Sequence, residues 1–133
     1  PGGVRRYGWG DALPVPPDFA NLGGTEVRSA LPGVLEGYTD SHPGVAPTGK
    51  YAASPLGLVD MTGNVSEWMH DWYASSPDSA AATDPFGPAS GARHVVKGSN
   101  WRTISFAELR LAWREGADGA TQDIGFRVAR YAE

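Results

Sequence analysis

Two acidic residues bracket a glycine-containing turn in the middle of the chain. Asp60 and Glu67 lie on either side of Gly63-Asn64, and glycine permits a tight turn that directs backbone carbonyls inward. Because calcium takes about six to eight hard oxygen ligands, this segment is a candidate calcium site. The residues leave an alternative open, in which Asp60 caps the following turn, Asn64 adopts a left-handed conformation and Glu67 is solvated or paired with an arginine.

Sulfur and imidazole chemistry have little support in this sequence. It contains no cysteine, which excludes disulfides, thiolate metal sites and cysteine nucleophiles within these residues. His42, His70 and His94 are widely separated and show no spacing typical of metal ligands. No Gly-x-Ser-x-Gly sequence is present that would form a nucleophile elbow.

Arginines and acidic residues gather towards the end of the sequence. One hypothesis is a groove for an anion or a peptide, lined by Arg102, Arg110, Arg114 and Arg127 with Glu108 and Glu115. Ligand binding would use the surface from Trp101 to Asp123, with Trp101, Arg102, Arg110 and Arg114 as its binding residues. In the favoured alternative, the arginines hold irregular backbone together through hydrogen bonds to carbonyls and pairs with acidic residues.

The composition indicates one globular domain. Hydrophobic residues make up 41% and charged residues 20% of 133 residues, which is typical of a packed core. The net charge of −4 argues against a nucleic-acid surface, and no apolar stretch approaches the roughly 20 residues of a membrane span. The sequence begins at Pro1, so removal of a leader or upstream segment is an open alternative. A secreted or periplasmic location is slightly favoured.

The elements that must position these residues are expected to be short. Eighteen glycines and eleven prolines predict a loop-rich chain, with the first fifty residues mostly coil and turns. Apolar spacing predicts a short helix at Val65–His70. Strands are predicted at His94–Lys97 and Gly125–Ala129, with a third at Leu109–Trp113 between them.

One long motif carries a family resemblance. The segment from Pro55 to Trp68, followed by Asp71-Trp72-Tyr73, resembles the signature of the formylglycine-generating-enzyme (sulfatase-modifying-factor) family. Similar pieces occur in the expected order: Tyr7-Gly-Trp-Gly-Asp11, Ala20-Asn21, Thr39-Asp40, Asp84-Pro85, Val96 to Trp101, Arg110 to Arg114 and Ile124 to Val128. The resemblance implies an α+β, C-type-lectin-like fold. It further implies that residues 1–133 form the C-terminal part of one domain, whose strand-rich N-terminal half is supplied elsewhere.

The resemblance also implies two calcium sites. The first would use the side chains of Asn21 and Asp40 with the carbonyls of Leu22 and His42. The second would use the side chains of Asp60 and Glu67 with the carbonyls of Gly63 and Val65.

Active members of the family hold copper with two thiols, located between the elements represented here by Trp101 and Arg110. That interval, Arg102 to Leu109, contains no sulfur. No copper is therefore expected, and formylglycine synthesis by these residues is excluded unless a partner supplies both thiols.

Two functions follow from this combination. The leading hypothesis is a calcium-stabilised binding or accessory module, whose partner is a protein or another ligand, or a chain supplying the N-terminal half. The competing hypothesis is an oxidoreductase subunit, siderophore-oxidase-like or split, with a pocket around Glu67, Trp68 and Trp101 that the missing half completes. Related folds also include iron-dependent sulfoxide synthases and variable ligand-binding proteins.

Overall fold

Irregular segments and turns form most of the molecule. The computed structural model describes residues 5–75 and 87–130, so Asp84-Pro85 of the family-like series lies outside the described residues. Within these ranges the one helical element is a single 3₁₀ turn at Thr25–Val27. The prediction that the first fifty residues are mainly coil and turns is confirmed.

Four short strands form a single mixed sheet within the described residues. They are β1 (Ser66–Trp72), β2 (His94–Lys97), β3 (Glu115–Ala117) and β4 (Ile124–Gly125). The order across the sheet is β3-β2-β1-β4. β1 is antiparallel to β2, with Trp68 opposite Val96, and parallel to β4, with Ser66 opposite Ile124.

Three predicted elements differ from the structure. The helix predicted at Val65–His70 is wrong, because β1 occupies this segment. Gly63 (φ 83°) and Asn64 (φ 70°) are both left-handed, so the chain reverses just before the segment and enters the sheet rather than a helical turn.

The predicted strand at Leu109–Trp113 is also wrong. Leu109 and Trp113 donate backbone hydrogen bonds to Ser105 and Arg110 in successive turns, and β3 begins only at Glu115. The strand at His94–Lys97 is confirmed, whereas the one predicted at Gly125–Ala129 ends at Gly125.

Aromatic and aliphatic side chains from distant loops form the main core. Tyr7 stacks on Trp9 with ring centroids 4.7 Å apart, and Phe19 meets Trp9 edge-on at 5.3 Å. The buried members of this core are Tyr7, Val15, Ala20, Leu22, Leu35, Tyr38 and Leu109. Large rings thus stabilise backbone that has few regular hydrogen bonds of its own.

A buried pair of asparagines, which we call the asparagine junction, joins three loops. Asn21 Nδ2 donates to Asn64 Oδ1 at 3.0 Å and to the Gly44 carbonyl at 2.7 Å. Asn64 Oδ1 also accepts from the Ala46 amide at 2.8 Å, and its Nδ2 donates to the Ala46 carbonyl at 3.2 Å. The left-handed conformation predicted for Asn64 is confirmed.

Residues 5–75 and 87–130 contain no helix that is long and apolar enough to cross a bilayer.

Candidate functional site

A polar pocket of about 170 Å³ lies against one end of the sheet. Each of the four strands contributes to it directly or through an adjoining loop. The residues that line this pocket are Ser66, Val96, Gly98, Asn100, Arg102, Thr103, Glu108, Trp113, Glu115 and Asp123.

Hydrogen bonds fix the neutral wall of the polar pocket. Ser66 Oγ donates to the Gly98 carbonyl at 3.0 Å and accepts from Asn100 Nδ2 at 3.0 Å. The Asn100 backbone amide donates to Thr103 Oγ1 at 3.0 Å. Because Ser66 and Thr103 are only 6% exposed, these bonds hold the hydroxyl groups in place before any ligand arrives.

Three carboxylates and one guanidinium give the polar pocket a negative charge. Burial, and secondarily the charge of Glu115, raises the pKa of Glu108 above its ordinary value. Glu115 accepts a hydrogen bond from Trp113 Nε1 at 3.3 Å. Asp123 lies 4.0 Å from Arg102 Nε, and at that distance the partly exposed pair neutralises little. The pocket therefore favours cationic and hydrogen-bonding groups.

The sulfur-free interval forms one side of the polar pocket. Arg102, Thr103 and Glu108 all belong to the stretch from Arg102 to Leu109 and line the cavity. A hydroxyl, a carboxylate and a guanidinium are thus the polar groups that this interval contributes to the cavity. All three can form hydrogen bonds and the carboxylate can exchange a proton, but none is a soft ligand of the kind that Cu(I) prefers.

The four predicted ligand-binding residues do not come together. Only Arg102 lines the polar pocket, and its guanidinium lies 5.3 Å from the Trp101 ring centroid. Arg110 lines a second pocket, and Arg114 lies 5.2 Å from the ring centroid of Tyr73.

Sequence reasoning missed the contributions of Ser66 and Asn100 to the polar pocket. Their side chains meet only because β1 and the loop after β2 lie side by side in the sheet. No local spacing signals that contact.

The structure brings together the four residues of the first predicted calcium site. Asp40 accepts backbone hydrogen bonds from Leu22 at 2.7 Å and His42 at 2.9 Å. Asn21 is fully buried, and its Oδ1 has no hydrogen-bond partner among the described residues. Burial raises the pKa of Asp40, against the lowering effect of its two backbone hydrogen bonds. The Asp40 carboxylate and the unpaired Asn21 Oδ1 are both oxygen ligands of the kind that a hard cation takes.

At the second predicted calcium site, one oxygen of Asp60 is unpaired, whereas the Glu67 carboxylate is paired with an arginine. Asp60 Oδ2 accepts from the Gly49 amide at 2.7 Å, whereas its buried Oδ1 has no partner in the described part of the chain. Glu67 forms a two-pronged pair with Arg127 at 2.7–3.1 Å. Pairing of Glu67 with an arginine, the alternative stated from the sequence, is thus present.

In the part of the chain that the structure describes, side-chain carboxylates and imidazoles alone do not form a metal cluster. Among residues 5–75 and 87–130 no group of three or more histidines and acidic residues is placed to hold an ion. Any cation would therefore need amide and carbonyl oxygens as well, which both predicted ligand sets include.

A second pocket of about 180 Å³ lies beside Asp60 and Glu67 and has a largely apolar lining that includes Met61 and Met69. Neither Trp68 nor Trp101 is among the residues that line it. The pocket that the oxidoreductase hypothesis places around Glu67 and these two tryptophans is therefore not formed by the described residues alone.

Comparisons with known proteins find a matching family model and several relatives. A family model described as the sulfatase-modifying factor enzyme 1-like domain matches residues 2–132. The formylglycine-generating enzyme of Streptomyces coelicolor is 33% identical over 138 residues, which cover 97% of this chain and 41% of that enzyme. The serine/threonine-protein kinase pkn1 of Chlamydia caviae is 40% identical over 91 residues, which cover 63% of this chain and 14% of the kinase.

A solved structure gives the same result for the fold. Treponema denticola variable protein 1 matches with a TM-score of 0.63 and 26% identity, over 82% of this chain and 34% of that chain. The predicted loop-rich α+β fold is confirmed by this match. The chain spans less than half the length of each of these three proteins.

Proposed function

The chain belongs to the sulfatase-modifying factor enzyme 1-like domain family, and we propose that it is a ligand-binding module of that family without formylglycine-generating activity. The observation that carries the proposal is the polar pocket, which is preformed and contains no sulfur. Hydroxyl, amide and carboxylate groups converge there, as they do in sites that orient a ligand by a few polar contacts.

The charge of the polar pocket indicates the class of ligand. Glu108, Glu115 and Asp123 face a cavity in which Arg102 is the one arginine among the described lining residues. An ammonium or guanidinium group would pair with the carboxylates and could also lie over the ring of Trp113. A basic side chain of a peptide or protein has this chemistry.

Calorimetric titration with arginine amide tests the binding proposal. Binding should occur at low salt and weaken as the salt concentration rises, because the attraction is electrostatic. The Glu108→Gln variant should bind about tenfold more weakly, equivalent to about 1.4 kcal/mol. Glu36→Gln is the matched control, because Glu36 is exposed and pairs with Arg28 outside the pocket. No binding, or equal affinity in both variants, would contradict the proposal.

A separate assay addresses the missing activity. The chain, supplied with copper and oxygen, is incubated with a sulfatase-derived peptide that contains the target cysteine. Mass spectrometry should find the peptide unmodified, because the interval from Arg102 to Leu109 contains no thiol to hold Cu(I). Conversion of the cysteine to formylglycine would overturn this part of the proposal.

Stabilisation by calcium is the second part of the proposal. It is supported by Asn21 Oδ1 and Asp60 Oδ1, which are buried and unpaired among the described residues and belong to the two predicted ligand sets. A bound calcium ion would give each of these oxygens the positively charged partner that it lacks. It would also tie together loops that have few regular hydrogen bonds.

An oxidoreductase subunit is the second candidate function. Glu108 favours it, because a partly buried carboxyl group with a raised pKa beside a second carboxylate is a candidate general acid or base. In this candidate a chain that supplies the N-terminal half would complete the site. Stoichiometric iron or copper in natively purified protein would favour this function, whereas calcium alone would favour the binding module.

A further inference from the structure

The second pocket lies on the opposite face of the sheet from the polar pocket. Ser66 and Val96 line the polar pocket, whereas Glu67 and Lys97, the next residues along β1 and β2, line the second pocket. This division follows from the alternation of side chains along a strand. Gly98 is the one described residue that lines both pockets. The second pocket is therefore a separate cavity with its own chemistry.

Both methionines of the chain line the second pocket. The sequence contains two methionines, Met61 and Met69, and no cysteine, so every sulfur-bearing side chain of the chain belongs to this lining. Val65, Leu109 and Leu111 contribute further apolar surface. Thioether sulfur is polarisable and makes favourable contacts with aromatic rings. The lining therefore suits an aromatic group.

The volume of the second pocket limits the size of a ligand. An apolar cavity of about 150 Å³ is large enough to hold benzene, whereas pockets for drug-sized ligands begin at about 300 Å³. The second pocket has a volume of about 180 Å³. A single aromatic ring with a short substituent thus matches this volume.

The acidic side chains of the second pocket are engaged by other groups. Glu67 pairs with Arg127 at 2.7 Å, and Asp60 Oδ2 accepts a hydrogen bond from the Gly49 amide at 2.7 Å. Hydrogen bonding to Glu67 raises the pKa of Arg127, and the charges of Glu67 and Asp60 raise it further. Arg127 therefore offsets part of the negative charge beside the cavity.

Two cationic side chains in the lining have no acidic partner in the part of the chain that the structure describes. Lys97 lies opposite Glu67 in the sheet, but its Nζ donates to the Leu111 carbonyl at 3.1 Å. Neither Lys97 nor Arg110 forms an ion pair with a described residue. An anionic substituent on a bound ring would supply the missing partner, and a carboxylate can accept two parallel hydrogen bonds from a guanidinium.

We propose that the second pocket binds a small aromatic carboxylate of about the size of phenylacetate. The ring packs against Met61 and Met69, and the carboxylate pairs with Arg110, which is exposed, and with Lys97. The inference does not depend on the polar pocket, which favours cations, and either proposal can fail without the other.

The methionines provide the test. A chain labelled with ¹³C-methyl methionine gives two methyl signals, both from the lining of the second pocket, and the Met61→Leu variant assigns them. Titration with phenylacetate should shift both signals saturably, with a dissociation constant of about 1 mM or lower. Phenylacetamide, which lacks the charge, and cyclohexylacetate, which lacks the aromatic ring, should each bind about fivefold more weakly.

Variants locate the carboxylate. Arg110→Gln should bind phenylacetate about fivefold more weakly but phenylacetamide as well as the unchanged chain does. Arg28→Gln is the matched control, because Arg28 is exposed and pairs with Glu36 away from this pocket. Glu108→Gln, in the polar pocket, should also bind phenylacetate normally. Unshifted methyl signals in the ligand-free variants check that each is folded.

Three results would overturn the inference. The first is that phenylacetate at concentrations up to about 10 mM, well above the expected dissociation constant, leaves both methyl signals in place. The second is that phenylacetamide or cyclohexylacetate binds as tightly as phenylacetate. The third is equal affinity of Arg110→Gln and Arg28→Gln for phenylacetate, which would place the carboxylate elsewhere.

Discussion

Glu108 is a partly buried acidic residue in the lining of the polar pocket. Its pKa is raised, first by burial and then by the charge of Glu115, from an ordinary value of 4.5. The folded state therefore holds this proton more tightly than the unfolded state does. As a result, the contribution of Glu108 to stability is greatest below pH 4.5 and is lost as the pH rises through the raised pKa.

The Glu108→Gln variant should remove that pH dependence. Urea unfolding between pH 4 and pH 8, a range of about four units that includes the ordinary carboxyl pKa, should show stability falling less steeply with pH than in the unchanged chain. Glu36→Gln should change the slope slightly in the opposite direction, because hydrogen bonding to Arg28 lowers the pKa of Glu36. Identical slopes for all three proteins would show that Glu108 titrates normally.

Asn64 is the most connected side chain of the asparagine junction. Asn64→Gly keeps the left-handed backbone without strain but leaves the Ala46 amide, the Ala46 carbonyl and Asn21 Nδ2 without this partner. We expect a loss of about 3 kcal/mol in the free energy of unfolding, because buried polar groups become unpaired. Ser41→Gly, at an exposed residue with φ 67°, should leave stability unchanged or raise it slightly.

At the scale of elements, the turn before β1 positions both the core and the sheet. Gly63 is left-handed, and a side chain there would overlap the backbone oxygen of Asn21. The Asn64 amide donates to that same oxygen at 2.8 Å. The turn thus fixes β1 against the loop that carries Asn21.

Two glycine substitutions separate the cost of a left-handed alanine from the cost of a steric collision. Gly49 has a similar φ of 75° and open surroundings. Gly49→Ala should therefore lower the free energy of unfolding by about 1 kcal/mol, the strain of a left-handed alanine. Gly63→Ala adds a collision with backbone and should cost about 3 kcal/mol or more. Thermal or urea unfolding would measure both, and equal costs would mean that the turn before β1 tolerates a side chain.

The sequence predicts some elements well because their signals are local. Left-handed Asn64 and the strand at His94–Lys97 follow from turn chemistry and a β-branched run, and the loop-rich first fifty residues follow from proline. Val65, Trp68 and Met69 have helical spacing, yet pairing with β2 places them in and beside a strand. The helical spacing of these residues is overridden here by sheet hydrogen bonds between residues distant in sequence.

The candidate site shows the same limit. Glu108 and Glu115 are visible in the sequence as charges close to Arg102, but their meeting with Ser66 depends on the order β3-β2-β1. Arg110 and Arg114 have the right composition for a binding surface but lie elsewhere, because turns rather than a strand separate them from Arg102. In irregular backbone, the spacing of residues along the sequence does not determine where their side chains lie relative to one another.

At the scale of the whole molecule, much of the structure rests on contacts between loops. Calcium should therefore raise stability. At a concentration about 100 times the dissociation constant, the gain would be about 2.7 kcal/mol, or about 10 °C in a domain of this size. Differential scanning fluorimetry in calcium and in chelator would measure the shift. No difference would remove calcium from the proposal.

The choice of variant matters for the calcium test. Glu67→Ala would also lose the pair with Arg127 and so lower stability with or without calcium. Asp60→Asn retains an acceptor for the Gly49 amide and removes the charge beside the unpaired oxygen. It should reduce the calcium-dependent shift while changing the melting temperature in chelator by little.

The asparagine junction also bears on how the protein can be produced. Asn64-Val65-Ser66 has the sequence of an acceptor for N-linked glycans, yet the Asn64 side chain is buried and both its polar atoms are bonded. A glycan attached while the chain is still unfolded would occupy the space of Ala46 and block closure of the junction. In a eukaryotic secretory pathway, modification and folding would therefore compete for the same nitrogen atom, and a host without N-glycosylation should give the higher yield of folded protein.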